Sequence, residues 1–381
     1  MLSKIYLSIL SIFISTTLSA QFATEQIVAS TLGGGRDIFT VDLDNDNNLD
    51  VLAATDFFLY WQSNVEGTGL FGSPIIIDEG DFEFNHLHAD DLDNDGDYDV
   101  MVISQKEAWA AYYENLGNGE FGPRTIIYDD EAFGSAIYSA DIDNDGNPDI
   151  LTATREQSPG PGIRLRLFKN NGNLDFGSPQ ILTFIGSASL STTINAGDLN
   201  ADGFIDLICT NSNFDYFRIG MNNGDGTFTF SNITPTDSSV RIHGSIVEDF
   251  DNDGALDLFY VDFQTAQVYL KNNGDGTFTE VALPSFSSGI AGEALDYDND
   301  GDIDIALVNT GNGNIQGGGL KILTNDGTGI FNLDSIYIEE GLENQGVTTG
   351  DVNNDGFADV ISITGYNFII GNEQVLSLIH I

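Results

Sequence analysis

The chain has 381 residues, 41% of them apolar, enough to fill two ordinary domains or one large repeat fold. Its 12 Lys and Arg stand against 59 Asp and Glu, a formal charge of −47, which excludes a nucleic-acid partner and attraction to an anionic membrane surface. The 26 Phe, regularly placed, argue against the disorder that such acidity would otherwise suggest.

In chain order, residues 1–20 read as a secretory signal peptide. Lys4 supplies the positive start, Ile5–Ile14 a mostly apolar run, and Leu18-Ser19-Ala20 a small-residue cleavage site. A secreted or cell-surface location is therefore expected. No later stretch is apolar for long enough to span a bilayer, so no membrane insertion is expected after cleavage. Cys209 is the one cysteine, so no disulfide forms within the chain, and its apolar run suits a buried thiol.

From residue 42 onward, one nine-residue pattern, D-x-[DN]-x-D-[GN]-x-x-D, occurs seven times at intervals of 49, 50, 57, 51, 47 and 55 residues. A period of this length marks an array or a propeller. Positions 1, 3, 5 and 9 of the copies are Asp42, Asp44, Asp46 and Asp50; Asp91, Asp93, Asp95 and Asp99; Asp141, Asp143, Asp145 and Asp149. They continue as Asp198, Asn200, Asp202 and Asp206; Asp249, Asp251, Asp253 and Asp257; Asp296, Asp298, Asp300 and Asp304; Asp351, Asn353, Asp355 and Asp359. Hard oxygen donors packed into a tight loop are what Ca²⁺ requires, so up to seven calcium ions are expected. Crowded carboxylates repel without a cation, which links folding to metal. An EF-hand or a dockerin-like pair would continue into a helix. Here a short β-branched run follows every loop, such as Val51–Thr55 and Val100–Ser104.

Another extended segment precedes each loop, with small residues two places before the first Asp, as a crowded innermost strand demands. Downstream comes a second turn, written NLGNGEF at 115–121, NNGNLDF at 170–176, NNGDGTF at 222–228 and 272–278, and NDGTGIF at 325–331. Its Asn-Gly and Asp-Gly pairs supply the positive φ of a tight hairpin. One unit is thus strand, acidic loop, strand, variable loop, strand, glycine turn, strand: a four-stranded propeller blade. The fold expected is all-β, a seven-bladed β-propeller over residues 21–373. The start of the mature chain, 22–30, would complete the last blade, a third strand there would fall at 367–370, and residues 374–381 fit nothing upstream.

These loops and turns resemble the FG-GAP/VCBS repeat proteins, among them the calcium-binding propeller of integrin α-chains. The resemblance implies that positions 1, 3, 5 and 9 of each loop are side-chain ligands and that position 7 offers a backbone carbonyl. Asn200 and Asn353 each remove a charge, and Asn47 replaces the turn glycine, so those three loops should bind metal more weakly.

Acidic loops and glycine turns share one face of such a propeller, and the varied loops share the other, where function usually lives. Gln157–Gly162 and Asn309–Gly319 stand out there, as do Phe57, Phe58, Tyr60, Trp61, Trp109, Tyr112 and Tyr113, which suit a sugar or a protein partner if exposed and packing between blades if not. The expected function is that of a monomeric binding or adhesion module for an extracellular glycan or surface protein. A polysaccharide lyase is the alternative, and would need His86, His88, Tyr138 and Arg36 gathered about one pocket. A passive spacer is the third reading. No phosphate loop, nucleophile elbow or H-E-x-x-H site is present.

Overall fold

β-Branched runs before and after each acidic loop pair as antiparallel strands, and the turns between them fix their register. In the computed structural model, residues 26–379 are described apart from 31, 130–132, 157–161, 186–192, 211–215, 237–241, 263–266, 284–288, 310–317, 340–343 and 365–374. The leader at 1–20, most of the two long loops singled out above, the strand expected at 367–370 and His380 lie outside the described residues.

Six blades are each built from four consecutive antiparallel strands, spanning residues 35–79, 84–129, 133–185, 194–233, 242–281 and 291–339. The remaining sheet is composite: Asn344–Gly350, Asp359–Thr364, Val375–Ile379 and Gln26–Ser30, in that order. The motif count predicts seven like blades; the structure has six, and the seventh motif lies in this closing sheet. The reason is local. No glycine turn follows the last motif, so the third strand comes from Val375–Ile379, whose Ile379 pairs with Val360. The amino-terminal strand then adds at the outer edge, Gln26 opposite Leu378, as the sequence suggests. Inner strands touch their neighbours in cyclic order, with Gly35–Val41 against Asn344–Gly350, so the sheets form a propeller.

The core is partitioned into seven apolar clusters, each between two adjacent sheets. Leu59 and Trp61 meet Phe84 and Trp109 in one. In another, Phe250, Phe259, Tyr269 and Phe331 pack edge to face, which suits the ring quadrupoles. Tyr60, Trp61, Trp109, Tyr112 and Tyr113 are all buried, so these rings serve packing between sheets, while Phe57 stays 38% exposed. Cys209 is a free, buried thiol, and burial pushes it up to about 12.

Polar clasps repeat around the ring. The carboxylate at loop position 9 is buried and accepts two backbone N–H groups. In the second blade Asp99 takes Leu92 N at 3.1 Å and Asn115 N at 2.8 Å. The first Asn of each glycine turn then reaches into the preceding sheet: Asn115 donates to Leu43 O, Asn170 to Leu92 O, Asn222 to Ile142 O, Asn272 to Leu199 O and Asn325 to Phe250 O. Asn64 closes the circle on Val352 O at 2.7 Å. Thr40 adds to the closure, donating to Thr349 O at 2.8 Å.

A second clasp uses loop position 4, whose backbone has φ between 55° and 61° in every copy. Asn tolerates this left-handed conformation. Asn94 donates to Gly146 O, Asn144 to Gly203 O, Asn299 to Gly356 O, Asn45 to Asp97, Asn252 to Asp302, and Asn354 to Asn48. Ala201 stands at this position in the fourth blade, with φ 57° and no amide to give.

Two outcomes follow from these clasps. Asn272→Ala strips donors from the buried Leu199 carbonyl and the half-buried Leu256 carbonyl, and an acceptor from Gly274 N. It should cost on the order of 3 kcal/mol in urea unfolding; a loss within the error of the wild-type value would refute the clasp. Ala201→Asn should raise stability by about 1 kcal/mol, by relieving left-handed alanine and reaching Gly254 O. Differential scanning calorimetry would register it as a rise in melting temperature, and an unchanged or lower value would count against it.

Candidate functional site

Each acidic loop holds its own shape through its carboxylates. Position 1 caps the turn with both oxygens: Asp141 accepts Asp145 N at 3.0 Å and Gly146 N at 2.9 Å. Position 5 accepts the N–H of position 7, as Asp145 does from Asn147 at 2.9 Å. The same bonds recur in the loops that begin at Asp42, Asp91, Asp198, Asp249, Asp296 and Asp351. Position 9 is the buried aspartate described above. Burial, ahead of every other influence, raises Asp50, Asp99, Asp149 and Asp304 to about 7.

Five loops bring one oxygen from each of three carboxylates within 4.8 Å of one another. The groups are Asp42, Asp44 and Asp50; Asp91, Asp93 and Asp95; Asp141, Asp143 and Asp145; Asp249, Asp251 and Asp257; and Asp296, Asp298 and Asp300. The loops carrying Asn200 and Asn353 form no such group among the described residues, since each lacks one carboxylate. Position 3 carries the clearest sign of a missing partner. One oxygen each of Asp44, Asp143 and Asp251 is buried without a hydrogen-bond donor. A hard cation fits such all-oxygen pockets.

In four blades the residue before the glycine-turn asparagine acts on the loop of its own blade, and sequence reasoning passed over it. Lys169 Nζ lies 2.8 Å from Asp143 Oδ2. Lys271 contacts Asp251 and lies 2.8 Å from Asp253 Oδ2. Ser63 donates to Asp44 Oδ2 at 3.2 Å. Glu114 instead adds negative field to Asp93. Seven loops of one geometry therefore differ in charge.

At the far end of the inner strands from these loops, a cavity of about 720 Å³ opens on the ring axis. Five inner strands slip register near their start, as between Gly35 and Asp37 or Phe84 and His86. Bulges of this kind re-aim side chains. In four of them the residue stepped over, Arg36, Asn85, Ser135 or Gln345, lines the cavity. Period-two reading misses such residues; the clue is polar residues where alternation calls for apolar ones.

Arg36, His86, His88 and Tyr138, singled out in the sequence, do share this cavity. Their chemical states differ from what a lyase needs. Arg36 Nε lies 2.6 Å from Asp56 Oδ1, so its charge is engaged. His88 stacks on Tyr138 with ring centroids 4.6 Å apart and leans on Phe39 at 5.3 Å. Burial, then the neighbouring His86, pushes His88 down to about 3, which leaves it neutral. His86 Nδ1 stands 3.7 Å from Asp37 Oδ2, beyond hydrogen-bonding reach. Across the ring, Glu293 keeps a surface open to the channel, but the walls enclose it and desolvation holds its carboxyl at about 8, with Asp37 and Glu248 adding to the rise. The side chain of His243 lies outside the described residues.

A family model for an FG-GAP-like repeat matches residues 91–152, 198–260, 249–307 and 296–362, more than half of the chain. No curated protein matches it significantly. Solved structures share the fold at low identity. One, on specific recognition of non-reducing terminal N-acetylglucosamine by an Agrocybe aegerita lectin, is 18% identical with a TM-score of 0.57, covering 81% of this chain and 80% of that one. Two others are crystal structures of BBS1N in complex with ARL6DN. The lead-soaked one is 11% identical with a TM-score of 0.60, covering 94% of this chain and 95% of that one. The mercury-soaked one is 10% identical with a TM-score of 0.61, covering 94% and 96%. No helix among the described residues is long and apolar enough to cross a membrane. With the four-stranded blades, the acidic loops and the matched repeats together, the chain belongs to the FG-GAP-like repeat family.

Proposed function

We propose that this protein is an exported, calcium-binding propeller whose ring axis holds a glycan. The observation that carries the reading is the cavity of about 720 Å³ on the side away from the acidic loops. Rigid inner strands supply its walls, with the Gln345 amide, rings from Phe39 and Tyr138, and the amide oxygens of Asn85 and Asn195, whose Nδ2 groups donate to Ser135 O and Ser245 O. Amide hydrogen bonds beside aromatic faces are the chemistry by which a polyhydroxylated ring is held. The lectin of similar fold lends support to a glycan ligand. Export rests on the leader at 1–20, and a cell-surface adhesion role would place the same cavity against a neighbouring glycan coat.

Calcium in this reading neutralises the loops and fixes the face opposite the ligand. Support comes from the five compact carboxylate groups and the three orphaned oxygens. Excess chelator should lower the melting temperature by several degrees, since a ligand bound to the native state stabilises it by mass action; full stability in chelator would refute the role. Isothermal titration should give fewer tight sites than seven. Lys271→Met should tighten calcium binding severalfold by removing a cation from between Asp251 and Asp253. An affinity unchanged by that substitution would show that the lysine leaves the loop when calcium enters.

A carbohydrate-active enzyme is the second reading, favoured by the convergence of Arg36, His86, His88 and Tyr138 on one cavity. Affinity electrophoresis of the full chain through gels holding a panel of polysaccharides, in calcium, separates the two. Binding predicts retardation in at least one gel without loss of the polymer. A cleared track would replace binding by catalysis, and free migration in every gel would remove the glycan reading.

A further inference from the structure

The ring is uniform in its loops and uneven in its channel. Three places before each first aspartate, the inner strands carry Phe39, His88, Tyr138, Asn195, Ile246, Glu293 and Thr348 in turn. One side is aromatic, and the opposite side carries a carboxylate.

Below the main cavity lies a smaller one of about 190 Å³, bounded by Tyr138, Asn195, Glu248 and Glu293 among others. Both carboxylates face it, and the channel also holds Asp37. Among the described residues neither Glu248 nor Glu293 has an ion-pair or hydrogen-bond partner. Arg36, which lines the main cavity with His86 and His88, is held by Asp56. The carboxyl of Glu293 is raised by desolvation and then by the fields of Asp37 and Glu248, as a like charge nearby requires. The two glutamates belong to none of the compact carboxylate groups, so they are not gathered as a metal ion would require. A volume of this size, walled by one aromatic ring and two separated carboxylates, suits an ammonium group.

We infer that the channel selects an amino sugar with a free amine, whose ring occupies the main cavity and whose ammonium sits between Tyr138, Glu248 and Glu293. The inference rests on the glycan reading above and narrows it to a cationic sugar. Whether the proton comes with the amine or is already on Glu293, the bound pair is the same ammonium and carboxylate. An N-acetylated sugar would displace water from both carboxylates and return no cation, which is costly. The chain's net charge of −47 also draws such a ligand toward it.

The test is isothermal titration of the full chain in saturating calcium with a β-1,4-linked glucosamine tetramer and with its fully N-acetylated counterpart. The free amine should bind at least about tenfold more tightly, a difference of about 1.4 kcal/mol. Glu293→Gln and Glu248→Gln should each abolish most of that preference. Each removes one of two like charges that share the channel and have no partner, so the melting temperature should hold or rise. Glu120→Gln, an exposed carboxylate on a glycine turn, should change nothing. Equal affinity for the two tetramers would overturn the inference while leaving a glycan site intact. A preference that survives both glutamine variants, or falls equally with Glu120→Gln, would reduce it to diffuse attraction by the acidic surface. Binding of neither tetramer would also overturn it, and the gel panel then decides separately whether any glycan binds.

Discussion

The molecule depends on one buried aspartate per repeat. In the six repeats that have a glycine turn, it accepts an N–H from its own loop at position 9 and another from the asparagine that opens the turn, as Asp206 does from Leu199 at 3.0 Å and Asn222 at 2.8 Å. Buried carboxylates are expensive unless they are well satisfied by donors. Here the donors come from two different turns, so the charge can be solvated only when both turns are formed. The asparagine then spends its amide on the preceding sheet. One network thus joins a loop, a hairpin and a neighbour, and failure in any member strands a buried polar group in the others.

That network explains why the repeat needs asparagine where it does. The turn asparagine must donate twice through its amide and accept once, as Asn170 does with Leu92 O, Pro148 O and Gly172 N. Aspartate would offer no donors and glutamine would overreach. Position 4 of the acidic loop asks for less: a left-handed backbone and one donor directed at the next loop. Six copies meet both demands with Asn, and Ala201 meets neither well. Stability of the ring is then a sum of similar neighbour terms, closed by Asn64 and Thr40 on the last sheet.

Much of this was legible because the repeat writes the same chemistry seven times. Loop, strand and turn followed from the spacing of Asp, Gly and β-branched residues, and the match extends to the outer strand supplied by the chain start. Three things were hidden. Val375–Ile379 bears no repeat mark, and its place depends on pairing with Val360–Ile363, which only the closed ring defines. The inner-strand bulges shift Arg36, Asn85, Ser135 and Gln345 toward the axis, and no period-two pattern reports a slip of one residue. The aromatic run from Tyr60 to Tyr113 reads equally as a binding face or as packing, and burial alone decides for packing. For the acidic loops, the pattern gave the carboxylates but not the charge beside them, because Ser63, Glu114, Lys169 and Lys271 fall in a different turn.

The contrast between loop face and channel is itself informative. A repeat kept uniform by its own hydrogen-bond network leaves little freedom at Asp, Asn and Gly positions, and these crowd one face. The residue three places before each loop is tied less uniformly: Ile246 joins the core and Thr348 bonds to Thr40, while Phe39, His88, Tyr138, Asn195 and Glu293 line the main cavity. Those five vary from aromatic to acidic around the axis. Varied positions on a rigid ring can be shaped to a ligand without disturbing the fold. Glu293, set across from the His88–Tyr138 stack and outside every apolar cluster, is where that freedom shows most plainly.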